Sequence, residues 1–178
     1  MTTDDPKVAE IAQRLHVRLV ERPAELAGDE VRSATAVLHA LDIVAAEDAD
    51  LVVLLQATSP LRSDEDVRRC LTEVRSPGTA FTACWAEHHP LKCLLEVDGQ
   101  VRPVHMMTDL ETPTQALPRA LRPTGGAYVL EVASLRREER FLVEPLQPVE
   151  VSNRRSIDID SPEDLAIAEA IMRSSYPN

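Results

Sequence analysis

Two periods alternate among the apolar residues of this chain. Apolar residues at i, i+3, i+4 and i+7 are typical of an amphipathic helix, and short apolar runs are typical of strands. The helical period predicts four helices: from Asp5-Pro6 to about residue 15, over 30–46, from the Ser63 and Asp66 capping-box pair onward, and over 162–174. The apolar runs predict strands at 18–21, 51–55, 80–84, 93–97, 101–104, 127–130, 149–152 and 157–159. Strands that alternate with helices predict an α/β fold with a parallel sheet.

The run Leu51–Leu55 is continuously apolar, which predicts a strand buried on both faces of that sheet. Ligands bind beyond the carboxyl ends of such strands, so the following segment, Gln56–Arg62, is expected at the mouth of a site. Gln56 ends an apolar strand with an amide that needs hydrogen-bond partners, and a bound ligand can supply them. For Ser59-Pro60 a simple turn into the next helix is the alternative.

A pair of acidic residues stands out near the carboxyl terminus. Asp158 and Asp160 are two positions apart in an apolar run, so both carboxylates are expected on one face of a strand. Two oxygen ligands of this kind suit Mg²⁺, which fills its other positions with water and substrate phosphates. Ser161-Pro162 is typical of a helix start, and it favours a capping role over a metal role for Asp164.

Residues 93–104 predict a hairpin, because Asp98-Gly99 supplies a turn with positive φ. Residues 103–126 follow with four prolines and little periodicity. Loops of this length in a compact domain are usually functional, disordered or part of an interface. We expect an arm, about 86–126, that reaches over the site or across a dimer.

Composition narrows the classes of function. The 178 residues predict one domain, 1–178, and the net charge of −11 argues against nucleic acid or an anionic membrane as the partner. An anionic substrate would therefore need a local basic cluster. Neither a signal peptide nor a run long enough to span a membrane is evident, which predicts a cytoplasmic protein. The cysteines are few and scattered, and Cys70 falls on the apolar face of a predicted helix, where it is expected to fill the core.

Six blocks, in order and spacing over nearly the whole chain, resemble the CMP-sialic acid synthetases (acylneuraminate cytidylyltransferases). The blocks are Thr3–Asp5, Arg22–Ala27, Leu54–Arg62, Glu87–Lys92, Ala120–Tyr128 and Ser156–Asp160. The resemblance implies a Rossmann-like, doubly wound and mostly parallel nucleotidyltransferase fold with an inserted dimerisation arm. It also implies Mg²⁺-dependent transfer of CMP from CTP to a nonulosonic sugar acid, with release of pyrophosphate, by a homodimer.

The resemblance also implies roles for particular residues. Asp158 and Asp160 match the metal-binding, catalytic aspartates of the family, while Arg22 and Ser33 match its nucleotide contacts. The sugar contacts are matched by Gln56, Lys92, Tyr128 and Phe141.

Two of these assignments have alternatives on the residues alone. A fixed cation at Lys92 suits a sugar carboxylate in an acidic protein, but a solvated surface lysine is the alternative. Phe141 alone would be assigned to the core. His88 and His89 fall in the arm, where structural histidines are favoured over a metal site or acid–base catalysis.

The chain departs from the family pattern in three places. Met1 falls at the end of the second strand of the family, so the fold is expected to lack the first strand and the phosphate-binding loop. Thr114 stands where the family has an arginine that binds the sugar carboxylate, and Thr124 stands where Asn is usual. A hydroxyl cannot replace a guanidinium, so the sugar affinity or the preferred sugar is expected to change.

These departures leave two alternatives to the leading hypothesis. One is a non-catalytic remnant that binds a sugar acid or forms a dimer without handling nucleotide. The other changes only the acceptor, from N-acetylneuraminate to a legionaminate, a pseudaminate or a deaminated analogue.

Overall fold

The computed structural model describes residues 1–28 and 30–175, which contain six α-helices and eight strands. The helices are α1 (Pro6–Arg14), α2 (Ser33–Val44), α3 (Asp64–Glu73), α4 (Met107–Glu111), α5 (Val132–Glu138) and α6 (Pro162–Ser175). The strands are β1 (Thr2–Thr3), β2 (Val20–Glu21), β3 (Leu51–Leu54), β4 (Thr79–Trp85), β5 (Leu94–Val97), β6 (Gln100–Pro103), β7 (Leu121–Glu131) and β8 (Leu146–Glu150). The predicted α/β class is confirmed.

Three sheets organise these strands. Four strands form the largest sheet in the order β3-β7-β4-β8, β1 pairs with β2, and β5 pairs with β6. The β1–β2 pair is parallel, whereas β3 and β7 run antiparallel with Leu51 opposite Glu131 and Leu54 opposite Tyr128. Strand–helix alternation did not predict this antiparallel pair.

The chain forms two compact units. The first contains Met1–Leu54, Glu73–Ala80 and Tyr128–Gln147. The second contains Leu55–Thr72, Phe81–Ala127 and the described residues from Pro148 onward. The first unit holds an apolar cluster of Ala34, Val52, Leu130, Val132, Leu135 and Val143. Leu130 and Leu135 have no exposed surface, and burying each such side chain stabilises the fold by roughly 1.5–3 kcal/mol.

Local capping signals placed the starts of α1 and α3 correctly, whereas α2 begins at Ser33 instead of about 30, and α4 and α5 were not predicted. The Asp5 carboxylate accepts hydrogen bonds from the backbone N–H groups of Lys7 (2.7 Å) and Val8 (3.3 Å) and so caps α1. Ser63 and Asp66 form the predicted capping box of α3 through reciprocal bonds of 3.0 and 3.2 Å. Cys70 is fully buried in α3, and burial raises the pKa of its thiol to about 11, so it is an uncharged core residue at neutral pH.

Two strand predictions were wrong. The first concerns β3, which was expected to be buried on both faces: Val52 is 8% exposed, but Leu51 and Leu55 are 45% and 46% exposed. The reason is that β3 lies at the edge of its sheet and, within the part of the chain that the structure describes, pairs with β7 alone. The second concerns 157–159, which has no regular secondary structure, so the expectation that Asp158 and Asp160 share the face of a strand fails.

The predicted arm contains more regular structure than its sequence indicates. The hairpin forms as expected, with Leu94 opposite Pro103 and Val97 opposite Gln100. It is followed by α4 and a 3₁₀ turn at Thr114–Ala116, and β7 begins at Leu121 rather than at 127. Within the described residues, none of the helices is long and apolar enough to cross a membrane.

Candidate functional site

The segment after β3 packs against a glycine of β7. Gly125 has φ of +72°, a conformation that suits glycine, and a side chain there would meet Gln56 Oε1 and lie 2.6 Å from Ser59 Oγ. The space that a Cβ would fill is therefore occupied by the side chains of Gln56 and Ser59. This contact brings two of the six resembling blocks together.

Arg62 reinforces the same contact. Its Nε donates to the carbonyl oxygen of Gly126 (2.8 Å), and its Nη2 donates to the carbonyl oxygen of Gln56. The guanidinium thus joins the backbone at Gln56 to the backbone at Gly126. Burial lowers the pKa of Arg62, because removing the charge from water disfavours the protonated form.

A third block reaches the site through Ser59. The Ser59 hydroxyl is buried, donates to the carbonyl oxygen of Thr124 (3.0 Å) and lies 3.5 Å from Asp158 Oδ1. The backbone N–H of Ile159 donates to the carbonyl oxygen of Thr58 (2.8 Å). Thr58-Ser59 therefore holds Asp158-Ile159 by one backbone bond and one side-chain contact.

Thr124, which stands where the resemblance leads us to expect Asn, lies in a chain of buried hydroxyls. Its Oγ1 donates to Thr82 Oγ1 (2.8 Å), and Thr82 Oγ1 also accepts the backbone N–H of Ala127 (3.0 Å). Both threonines are almost fully buried. The hydroxyl of Thr124 is therefore used inside the protein and fixes the backbone around Gly125.

Two arginines fix the segment that precedes Asp158. Arg155 donates to both carboxylate oxygens of the buried Asp66, at 2.9 and 3.1 Å. Arg122 Nη2 donates to the backbone carbonyl (3.2 Å) and the Oγ (3.0 Å) of Ser156. Neither contact is visible in the sequence, because the two contacts join residues that are 89 and 34 positions apart.

Asp164 has the predicted capping role. Its Oδ2 accepts hydrogen bonds from the Ser161 hydroxyl (2.7 Å) and from the backbone N–H groups of Ser161 (2.9 Å) and Asp160 (3.3 Å). The Ser161 hydroxyl, followed by these backbone groups, lowers the pKa of Asp164. Asp160 contributes its N–H to this cap, which leaves its exposed carboxylate for another ligand.

The donor set at Asp158 and Asp160 fits Mg²⁺. Across the described ranges, 1–28 and 30–175, no group of three or more His, Cys, Asp or Glu side chains could hold a metal ion. Mg²⁺ needs only one or two carboxylates when phosphates and water fill its other positions. Asp158 is half-buried beside Ser59 and Asp160 is exposed, so this pair is suited to a metal shared with a substrate.

In the arm, Lys92 and His89 bind backbone carbonyls. Lys92 Nζ donates to the carbonyl oxygen of Leu110 (3.1 Å). His89 Nδ1 accepts the N–H of Leu91 (3.2 Å), so Nε2 carries the proton and donates to Pro118 O (2.8 Å). The structural role expected for His89 is confirmed, whereas His88 is exposed.

The residues matched to nucleotide contacts lie in the first unit. Arg22 Nη2 donates to the carbonyl oxygen of Thr2 (2.8 Å), and Nη1 lies 3.9 Å from Asp4 Oδ1. Arg22 also lines a cavity of about 360 Å³ together with four acidic residues, Asp4, Asp5, Glu10 and Glu21. This acidic wall does not suit a triphosphate. Ser33 is exposed at the first position of α2.

The two aromatic residues matched to sugar contacts form a pair in the first unit. The ring centroids of Tyr128 and Phe141 lie 6.0 Å apart at an interplanar angle of 45°. Phe141 also packs against the apolar cluster of that unit, in line with a core role.

Solved structures show which fold this chain has. One is a CMP:2-keto-3-deoxy-manno-octonic acid synthetase complexed with CTP. The structural alignment covers 98% of this chain and 80% of the synthetase chain, with a TM-score of 0.66 and 16% sequence identity. Another is the 4-diphosphocytidyl-2C-methyl-D-erythritol synthase of Anaerococcus prevotii. Here the alignment covers 96% of this chain and 74% of the synthase chain, with a TM-score of 0.60 and 15% sequence identity. The chain therefore has the Rossmann-like α/β fold of the cytidylyltransferases.

Sequence comparison finds a relative among the enzymes that make CMP-sugar acids. The chain is 28% identical over 127 residues to the CMP-N,N'-diacetyllegionaminic acid synthase of Legionella pneumophila, a match that covers 69% of this chain. This supports the predicted resemblance to the CMP-sialic acid synthetases. The match spans about half (54%) of the length of that relative. No protein-family model matches the chain.

Proposed function

We propose that the protein transfers CMP from CTP to a nonulosonic sugar acid in an Mg²⁺-dependent reaction that releases pyrophosphate. The observation that carries this proposal is the contact between Thr58-Ser59 and Asp158-Ile159. It joins the segment matched to sugar binding with the segment matched to metal binding. The similarity to a CMP-sugar acid synthase supports the same assignment.

In the proposed reaction, the anomeric hydroxyl of the acid attacks the α-phosphorus of CTP in line and gives up its proton to water, and the bond to the bridging oxygen of pyrophosphate breaks. Asp158 and Asp160 hold Mg²⁺, which when bound neutralises the charge on the phosphates. Ser59 and the Ile159 N–H keep Asp158 in place during this step. Catalysis of this kind depends on positioning and electrostatics, which rigid contacts supply.

Gln56 is proposed to bind the acceptor through its side-chain amide, which packs against Gly125, while Arg62 holds the backbone carbonyl of Gln56. Lys92 is proposed to bind the sugar acid from the arm, with Tyr128 and Phe141 as further sugar contacts. Arg22 and Ser33 are proposed to contact the nucleotide away from its triphosphate, because the acidic residues beside Arg22 would repel the phosphates.

The hairpin supports a homodimer as the working form. Four of its apolar side chains are about half exposed: Leu94, Leu95, Val97 and Val101. They lie on both faces of a two-stranded sheet, which is too small to be stable by itself. A second copy of the chain would cover this surface.

A substrate panel tests the proposed function. The purified protein is incubated with CTP, Mg²⁺ and one of four acids: N-acetylneuraminate, N,N'-diacetyllegionaminate, pseudaminate or 2-keto-3-deoxy-manno-octonate. We expect CMP-sugar and pyrophosphate in equal amounts with at least one nine-carbon acid. Turnover of the octonate alone would contradict the proposed acceptor class.

A further inference from the structure

Three half-buried cations of the second unit form no ion pair with a described carboxylate: Arg62, Lys92 and Arg122. Each is held by a backbone carbonyl oxygen instead. Other arginines of this unit are neutralised by acids, such as Arg155 by Asp66 and Arg119 by Glu150. In a chain with a net charge of −11, an unneutralised and partly buried cation is a candidate receptor for an anion.

Arg122 differs from the other two in what its guanidinium contacts. Arg62 donates from two of its nitrogens to backbone carbonyl oxygens, those of Gly126 and Gln56. Lys92 is held by Leu110 in the arm. Among the described residues, the Arg122 guanidinium bonds only to Ser156, through Nη2, so its Nη1 is left to donate to a ligand.

The chemistry of the proposed acceptor sets where its carboxylate must lie. In a nonulosonic acid the carboxylate and the attacking hydroxyl are attached to the same carbon. The cation that binds the carboxylate must therefore be fixed close to the metal-binding aspartates. Arg122 meets this condition, because Ser156 is buried and lies two residues before Asp158.

Resting on the proposed function, we infer that Arg122 binds the carboxylate of the acceptor acid. It supplies the guanidinium that Thr114 lacks at the position matched to the family arginine. Ser156 orients the Nη2 end, and the free end meets the acid. Recognition of the carboxylate thereby moves within the arm, from position 114 to the start of β7.

The test compares an acid with its uncharged ester. We take the acid that the wild-type protein turns over best and its methyl ester, and measure the dissociation constant of each by calorimetry for wild type and Arg122→Gln. Loss of a charged hydrogen bond of this kind weakens binding of the acid by about 10- to 100-fold. The ester, which has no charge to lose, is expected to bind the variant within about threefold of wild type.

Arg119→Gln is the matched control. Arg119 lies three positions earlier, stacks 3.5 Å above the Trp85 ring and pairs with Glu150 at 3.6 Å. The substitution removes the same charge from the protein, and acid binding is expected to stay at the wild-type level. Arg122→Lys, which keeps the charge, should restore part of the acid affinity, and it also serves if Arg122→Gln does not fold.

Two results would overturn the inference. Equal losses for acid and ester would show that Arg122 acts only by holding Ser156. An unchanged affinity for the acid would show that it does not touch the ligand. If the wild-type protein turns over none of the four acids, the proposed function itself fails. If it turns over an acid but Arg122→Gln gives either of the two results above, only the role of Arg122 fails.

Discussion

The backbone N–H of Ile159 donates a hydrogen bond of 2.8 Å to the carbonyl oxygen of Thr58, 101 positions earlier. A strand ladder does not hold this segment, so the bond sets the depth at which Asp158 lies beside Ser59. Rigid placement of a carboxylate is what a shared metal site requires. The position of the aspartate pair thus depends on the loop after β3.

Asp160→Asn tests the metal assignment. The exposed carboxylate of Asp160 bonds no group among the described residues, and its N–H keeps the bond to Asp164 in the variant, so the variant should unfold at the temperature of the wild type. Turnover should fall below detection, because a neutral amide binds Mg²⁺ poorly. Calorimetric titration with Mg²⁺ and CTP gives a second readout, in which the variant should lose most of its heat of binding. Full activity would assign the metal to other residues.

Gly125→Ala tests the packing around Gln56. Positive φ and displacement of Gln56 and Ser59 together should lower the free energy of unfolding by about 1–3 kcal/mol and raise the KM for the acid. Gly99→Ala is the matched control, since Gly99 has φ of +71° with no atom within 4 Å of the added Cβ. If both variants lose the same stability and neither changes the KM, the contact with Gln56 has no role in binding.

Arg155→Ala tests the ion pair that anchors the segment before Asp158. Asp66 is buried, and removal of its charged partner should reduce the free energy of unfolding in urea by about 1–3 kcal/mol. Arg68→Ala removes an exposed pair with Asp64 on the same helix and should cost no more than about 0.5 kcal/mol. Similar losses for the two variants would contradict an anchoring role.

The cap of α6 predicts a dependence on pH. Asp164 has a lowered pKa in the folded state, because the Ser161 hydroxyl and backbone N–H groups stabilise its charged form. Its stabilisation is therefore complete above the unfolded pKa of about 3.9 and is lost as the pH falls through the folded value. Asp164→Asn should lower the Tm at pH 7, and its difference from wild type should shrink below about pH 4.

Glu163→Gln is the control for this experiment, since Glu163 lies in the same first turn. It should change the Tm much less at pH 7. A difference between Asp164→Asn and wild type that stays constant from pH 7 to pH 3 would contradict the capping account.

Local patterns predicted local structure well. The helix caps join residues that are two or three positions apart, so the capping residues can be recognised in the sequence. They are Asp5 with Lys7, Ser63 with Asp66, and Ser161 with Asp164. The period-two pattern of Ile157 and Ile159 was misleading, because the backbone of that segment bonds to Thr58 instead of a neighbouring strand. Burial of β3 could not be predicted without knowing that it is an edge strand.

Contacts between segments that are distant along the chain could not be predicted from the sequence. The resemblance grouped Gln56 and Asp158 by assigned role, but nothing in the sequence pairs Ser59 with Asp158 or Arg155 with Asp66. The side chains that orient the proposed site are therefore known only from the fold.

Pyrophosphate release is the most direct test of the central claim. The protein is mixed with CTP and each of the four acids, in Mg²⁺ and in excess chelator, beside the Asp160→Asn variant. The account predicts release by the wild type in Mg²⁺ with a nine-carbon acid, and release by neither the chelated protein nor the variant. Absence of release from the wild type with every acid, or equal release from the variant, would contradict it.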